Sequence, residues 1–302
     1  MKKNEDMTDG VLEMDHVMSF TIPERDVRGR TVRLGPVLEE VLRAHKYPPP
    51  VRQLLSEALV LTALMGALLK DDDSQLTLQA QTEKGLVDLL VCDYRNGELR
   101  GYVRYDEDRL SEADAELTLA TLFGHGYLAI TFDLAVTKQR YQGVVPLEGD
   151  TLAAACESYF IQSEQLPTLI RVAVGQQGEH VVAGGLLLQH LPDGEEGRER
   201  LHTQMDHPHW EHAAILAGTI TSGELVDRTL PLEVLIWRLF HEENEVRVSQ
   251  SGKLSRGCRC TEEHYRSILE KFAEPDRAEM RDAHGIIAID CAFCSKIFPI
   301  AM

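Results

Sequence analysis

The chain has 302 residues, 43% of them hydrophobic and 26% charged, which excludes a mainly disordered polypeptide. It carries 31 Lys and Arg against 49 Asp and Glu, and this net charge of −18 disfavours generic adhesion to nucleic acid or anionic membrane. The N-terminal MKKNEDMTDG has no apolar segment behind its lysines, and the longest uncharged apolar run, Ala58 to Leu69, is too short for a bilayer, so a cytoplasmic protein is expected.

In chain order, Thr31 to Lys70 reads as helical. Pro36 opens a stretch with Val37, Leu38, Val41 and Leu42 at helical offsets, Tyr47-Pro-Pro-Pro50 interrupts it, and an apolar helix follows from about Val51 to Leu69. Asp71 to Ser74 is a solvated turn. Gln75 to Gln81 alternates with period two, Leu86 to Cys92 is a more buried strand, and Asn96-Gly97 predicts a hairpin into a strand from Glu98 to Tyr105. Gly124 and Gly126 flank a turn before another alternating strand, Tyr127 to Asp133. Asp150 or Thr151 caps a helix that runs to about Gln162. Strands Thr168 to Val174 and His180 to Gln189 follow, the second containing Gly184-Gly185, which reads as a packing pair rather than a ligand loop.

From Leu191 to Asp227 the pattern weakens. His202, His207, His209 and His212 lack zinc-type spacing and read as solvated residues in a marginally stable, partly helical connector. Pro231 opens a helix with Leu232, Leu235, Ile236, Leu239 and Phe240, and His241 to Gly257 reads as a charged linker. Thr261 caps a helix with a stripe of Tyr265, Ile268, Leu269 and Phe272; Pro275 starts a second helix that stops at Gly285; Ile286 to Asp290 is a short strand. Charge also changes here: residues 241–302 have nine basic and eleven acidic residues, so almost all the acidity lies upstream. The expectation is an α+β chain. It has an N-terminal domain of mixed or antiparallel sheet with packed helices (1–190), a helical connector (191–240) and a small C-terminal zinc-binding module (241–302).

Six cysteines carry the chemistry. Cys92 ends an apolar run and Cys156 shares a helical stripe with Leu152, Ala155, Tyr159 and Phe160, so both read as core residues. The other four form Cys258-Arg-Cys260, thirty residues, then Cys291-Ala-Phe-Cys294. In a cytosolic protein such a set predicts zinc held by four thiolates, a closed tetrahedron with no position for a substrate water. Each pair is also a short-range dithiol that oxidation can link locally. On spacing alone a purely structural zinc is the plainer reading, with a redox switch beside it. Arg256 and Arg259 flank the first pair, either lowering its thiolate pKa or serving as solvated charges. No GxGxxG, Walker-type loop, HExxH or GxSxG occurs.

The tail pattern, with Gly285-Ile286 ahead of the CAFC knuckle, resembles the redox-regulated 33 kDa chaperonin (heat-shock protein 33) family. So do Tyr159 to Thr168, Ala183 to Gln189 with Pro192, Arg140-Tyr-Gln-Gly143 and Arg100-Gly-Tyr102, and the resemblance runs from Arg28 to Phe298. It implies a holdase that needs no ATP and is not an enzyme, with Cys258, Cys260, Cys291 and Cys294 binding one zinc when reduced. It further implies that oxidation forms Cys258–Cys260 and Cys291–Cys294 disulfides, releases the zinc, and unfolds tail and connector to expose a surface for unfolding client proteins. A homodimer in the active form and a role in oxidative stress are implied as well.

The physics agrees with that implication. A tail of about 60 residues needs a staple, since its core supplies roughly 3–5 kcal/mol at most. Structural zinc contributes on the order of 10–16 kcal/mol of apparent binding energy at neutral pH. Local disulfides close loops of only a few residues and do not join the two halves, so they cannot replace it. Two other classes stand beside this one: a zinc-ribbon nucleic-acid- or ribosome-associated factor, which the tail's basic residues allow, and a zinc enzyme, which would need an open coordination site.

Overall fold

The computed structural model describes residues 14–113, 118–177, 180–191 and 207–301. The start of the expected connector, with His202, lies outside the described residues. The strands are β1 (His16–Ile22), β2 (Val27–Leu34), β3 (Gln75–Gln81), β4 (Val87–Arg95), β5 (Glu98–Tyr105), β6 (Tyr127–Leu134), β7 (Gln139–Pro146), β8 (Thr168–Gln177), β9 (His180–His190), β10 (Arg247–Lys253), β11 (Ser255–Arg256), β12 (Ile286–Asp290) and β13 (Ile297–Ala301). The helices are α1 (Pro36–Arg43), α2 (Pro49–Gly66), α3 (Glu107–Ser111), α4 (Leu119–Phe123), α5 (Leu152–Tyr159), α6 (Pro208–Gly218), α7 (Ser222–Val226), α8 (Leu232–Phe240), α9 (Glu262–Leu269) and α10 (Glu274–Met280).

Two large sheets form the body. One runs β10-β1-β2-β9-β8 and is antiparallel throughout; the other runs β11-β5-β4-β3-β6-β7 and is antiparallel except where β11 joins β5 in parallel. A separate β12–β13 hairpin lies in the tail. Helix α2 passes between the large sheets, touching β2, β8 and β9 on one side and β3, β4 and β5 on the other. Beyond its first turns, where Arg52 and Gln53 are exposed, its sequence is almost wholly apolar, as an enclosed helix requires, and 13 of its 18 residues are buried. The buried Thr62 hydroxyl donates to the Ala58 carbonyl at 2.7 Å, so no polar group is stranded there.

The first sheet is buried on both faces. Val17, Val32, Leu34 and Leu187 point into the body core, whereas Met18, Phe20, Ile22, Leu186 and Leu188 pack against α6, α7 and α8 through Ala213, Ala217, Leu225, Leu235, Ile236 and Phe240. The glycine pair lies between these two layers: a Cβ on Gly184 would sit 2.1 Å from the Leu225 carbonyl oxygen, and one on Gly185 would sit 2.6 Å from Val60. The packing reading of that pair holds. Arg33, in the middle of this contact, donates to the carbonyls of Leu225 at 2.9 Å, Leu230 at 2.7 Å and Glu224 at 3.0 Å.

Several expectations need correction. The helical reading from Thr31 begins too early, because β2 runs to Leu34. Its three arginines gave the strand a polar appearance. The 241–257 segment is not a linker: β10 pairs with β1 and β11 with β5. β10 is polar because it is an edge strand. Helix α10 ends at Met280, short of Gly285, and Phe272 is exposed rather than part of the α9 stripe. The helix after Thr151 stops at Tyr159 and continues as a single π-type turn, Phe160–Glu164.

The described connector histidines are not simply solvated. His207 caps α6, and its ring lies 5.1 Å from that of the buried His190 and 4.9 Å from that of His209. His212 reaches the buried Glu243 carboxylate at 3.1 Å, which also takes Arg25 at 3.0 Å.

Candidate metal centre

The tail has little core of its own. Its buried cluster is Leu269, Ile287, Cys291, Phe298 and Ile300. Thr261 caps α9 by accepting from the His264 amide at 3.1 Å, which places Tyr265 and Leu269 against the β12–β13 hairpin. The antiparallel register of Ile286 to Asp290 against Ile297 to Ala301 leaves Cys291 to Lys296 as the connecting loop, closed by amide bonds from Cys291 to Lys296 and from Cys294 to Cys291. Cys258 and Cys260 enter from the other side. The Ser255 amide bonds the Gly97 carbonyl and the Gly257 amide bonds the Leu99 carbonyl, and together they fix that approach along the edge of β5.

The four sequence-predicted ligands meet. The sulfurs of Cys258 and Cys260 are 3.1 Å apart, those of Cys258 and Cys291 3.6 Å, those of Cys260 and Cys294 3.5 Å, and all four lie within 4.8 Å of one another. A tetrahedral ion with metal–sulfur bonds of about 2.3 Å sets its sulfurs roughly 3.8 Å apart, so this donor set fits one ion and fills its coordination. Among the described residues no other group of His, Cys, Asp or Glu converges in this way.

The local electrostatics are uneven. Burial raises the Cys291 thiol, but hydrogen bonds from the Tyr265 hydroxyl, the Phe293 and Cys294 amides and Cys258 outweigh it and bring it down to about 7. Burial and the neighbouring sulfurs push Cys260 up, and burial does the same to Cys294. The surroundings of Cys291 therefore favour its thiolate, the form that binds metal and meets oxidant, whereas those of Cys260 and Cys294 do not. Cys92 and Cys156 are wholly buried, and that burial drives both thiols far upward into inert core positions, as expected.

Other residues at this site escape a reading of spacing. Arg259 turns away from the sulfurs and lies 3.6 Å from the buried Asp93 of β4. Through that contact Arg259 joins tail to body. Arg256 lines a cavity of about 460 Å³ with Asp15, Glu40, Arg228 and Lys253. Phe293, inside the CxxC, also faces the body. Its position could have been sought from an aromatic residue inside a metal loop, paired with the alternating Arg100-Gly101-Tyr102 of β5.

The family model described as "Hsp33 protein" matches residues 15–301. A 33 kDa chaperonin from Caulobacter vibrioides is 41% identical over 299 residues, covering 96% of each chain, and one from Yersinia pestis is 37% identical over 283 residues, covering 93% of this chain and 90% of its own. The crystal structure of a 33 kDa chaperonin (heat shock protein 33 homolog) from Thermotoga maritima superposes with a TM-score of 0.74 at 23% identity, covering 95% of both chains, and so shares the fold.

Proposed function

The chain belongs to the Hsp33 family, and on that premise we propose that this chaperone is an ATP-independent holdase gated by a thiol–zinc switch. The convergence of Cys258, Cys260, Cys291 and Cys294 within 4.8 Å, in a tail whose buried set is five residues, carries this reading. Zinc, when bound, holds four thiolates together across a thirty-residue loop and so supplies the stability that the apolar cluster lacks. The working parts are the body (1–190), the connector (191–240) and the tail (241–302), with β10 and β11 contributed by the tail to the body sheets.

Oxidation removes the donors. Each pair of thiolates gives up two electrons to one peroxide, with two protons taken from solvent, forming one disulfide and two waters, so two peroxides account for Cys258–Cys260 and Cys291–Cys294. Cross-pairing, such as Cys258 with Cys291, would staple the two halves shut; local pairing leaves them unjoined. Loss of the tail frees the Cys258 end of the β11–β5 contact. The connector then leaves the outer face of the first sheet, and Met18, Phe20, Leu186 and Leu188 become surface for unfolded clients. Homodimer formation in the active state and a cytoplasmic location, where thiols stay reduced at rest, complete the reading.

The nucleic-acid alternative loses support from the tail's own pairing. Arg259 faces Asp93, Arg266 faces Glu262, and Arg277 and Arg281 both face Glu274. Four sulfurs filling a tetrahedron likewise leave no position for zinc hydrolysis.

The test is to count zinc and free thiols before and after peroxide while measuring aggregation of a denatured substrate protein. About one zinc released per chain, four thiols lost, and aggregation suppressed only after oxidation are expected. Oxidised, zinc-free protein that leaves aggregation unchanged would overturn the proposal.

A further inference from the structure

One aromatic side chain links the metal loop to the body. The Phe293 ring meets Tyr102 edge-on, with centroids 4.9 Å apart at 87°, and the Arg100 guanidinium lies 4.0 Å above its face. The Phe293 carbonyl pairs with His45 Nε2 at 3.3 Å, and Ser295 Oγ lies 3.3 Å from His45 Nδ1. A carbonyl can only accept, so Nε2 carries the proton and Nδ1 accepts from the Ser295 hydroxyl.

Asp93 fixes the cationic part. It takes Arg100 Nη2 at 2.6 Å and Nε at 2.8 Å, Thr77 Oγ1 at 2.7 Å and Arg259 at 3.6 Å. One buried carboxylate thereby orients a cation over Phe293 and ties Arg259, the residue between Cys258 and Cys260, to the body. Gly101, between Arg100 and Tyr102, faces inward onto Cys92, Leu55 and Leu59, which leaves its two neighbours on the outer face of the sheet.

We propose that His45, Arg100 and Tyr102 form a latch on Phe293 that sets how readily the tail gives up its metal. The inference rests on the reading that the four cysteines hold zinc and adds body residues that control the switch through Phe293 and Ser295 rather than as ligands. Phe293 lies between Cys291 and Cys294 in the chain, so the loop conformation that presents its ring is the one that positions both sulfurs. Docking and ligation therefore favour each other, and by linkage each strengthens the other by the same factor. An aromatic pair of this geometry shifts such an equilibrium by about three- to tenfold.

The test uses the full-length, reduced, zinc-loaded chain without oxidant, following zinc transfer to a chromophoric chelator and hydrogen exchange across residues 286–298. Tyr102→Ala should release zinc about three- to tenfold faster, with faster exchange in that segment and unchanged thermal unfolding of the body. Tyr102→Phe, which keeps the ring, should restore wild-type rates. His45→Ala, which removes the contacts to the Phe293 carbonyl and Ser295 hydroxyl, should move release in the same direction. Wild-type release and exchange in Tyr102→Ala would overturn the latch, as would Tyr102→Phe behaving like Tyr102→Ala. A wild-type chain that holds no zinc would overturn the metal reading beneath it, a distinguishable result.

Discussion

Between the body's two sheets, Leu55, Leu59, Leu61 and Leu64 are enclosed on all sides by side chains from both sheets and from α5. In the tail, the enclosed set is Leu269, Ile287, Phe298, Ile300 and one metal-ligating thiol, Cys291. The body is held by many redundant apolar contacts, so losing one weakens it by degrees. On the proposed reading the tail concentrates its stability in four sulfur atoms and the ion they would hold, so losing that cluster removes most of it at once. The proposed switch, which opens the tail on a chemical signal while the body stays folded, needs both kinds of construction in one chain.

Substitutions sharpen this contrast. The largest effect is expected from Cys291→Ser, which removes a ligand worth a share of the roughly 10–16 kcal/mol a structural zinc supplies. Zinc stoichiometry should fall to near zero and the tail should lose hydrogen-exchange protection, with the body transition unmoved. Leu64→Ala in α2 should do the reverse, lowering body stability by about 2–5 kcal/mol in denaturant melts while zinc content stays at one per chain.

Arg33→Met tests the layer between them. It strands three carbonyls of the α7–α8 region, costing about 2–3 kcal/mol. Limited proteolysis should then cut the connector in reduced protein, and aggregation should be partly suppressed without oxidant. The smallest effect is expected from Thr261→Ala, which removes the α9 cap at a cost of about 1 kcal/mol and should lower the peroxide concentration that releases half the zinc. If Leu64→Ala released zinc as readily as Cys291→Ser, the division of labour between body and tail would be wrong.

Much of this was legible in the sequence, for identifiable reasons. Helix α2 and strand β4 are legible as apolar runs, β3 by its period-two alternation and the β4–β5 hairpin by Asn96-Gly97, and the sulfurs announce themselves by spacing. Strands β1 and β2 do not alternate cleanly, because apolar residues fill both faces of their sheet and Arg33 points inward to bond carbonyls rather than outward to solvent. The histidines at 207–212 looked solvated because their partners, His190 and Glu243, lie on other elements. The Phe293 latch was hidden for the same reason: His45, Arg100 and Tyr102 are distant in sequence from Phe293 and meet it only in the folded chain.

The most direct test compares amide hydrogen exchange in the reduced, zinc-loaded chain and the zinc-free chain carrying both local disulfides. The account predicts that residues 258–301 exchange at unfolded-chain rates in the second form while residues 76–92 stay protected in both. Equal protection of residues 258–301 in the two forms would contradict it.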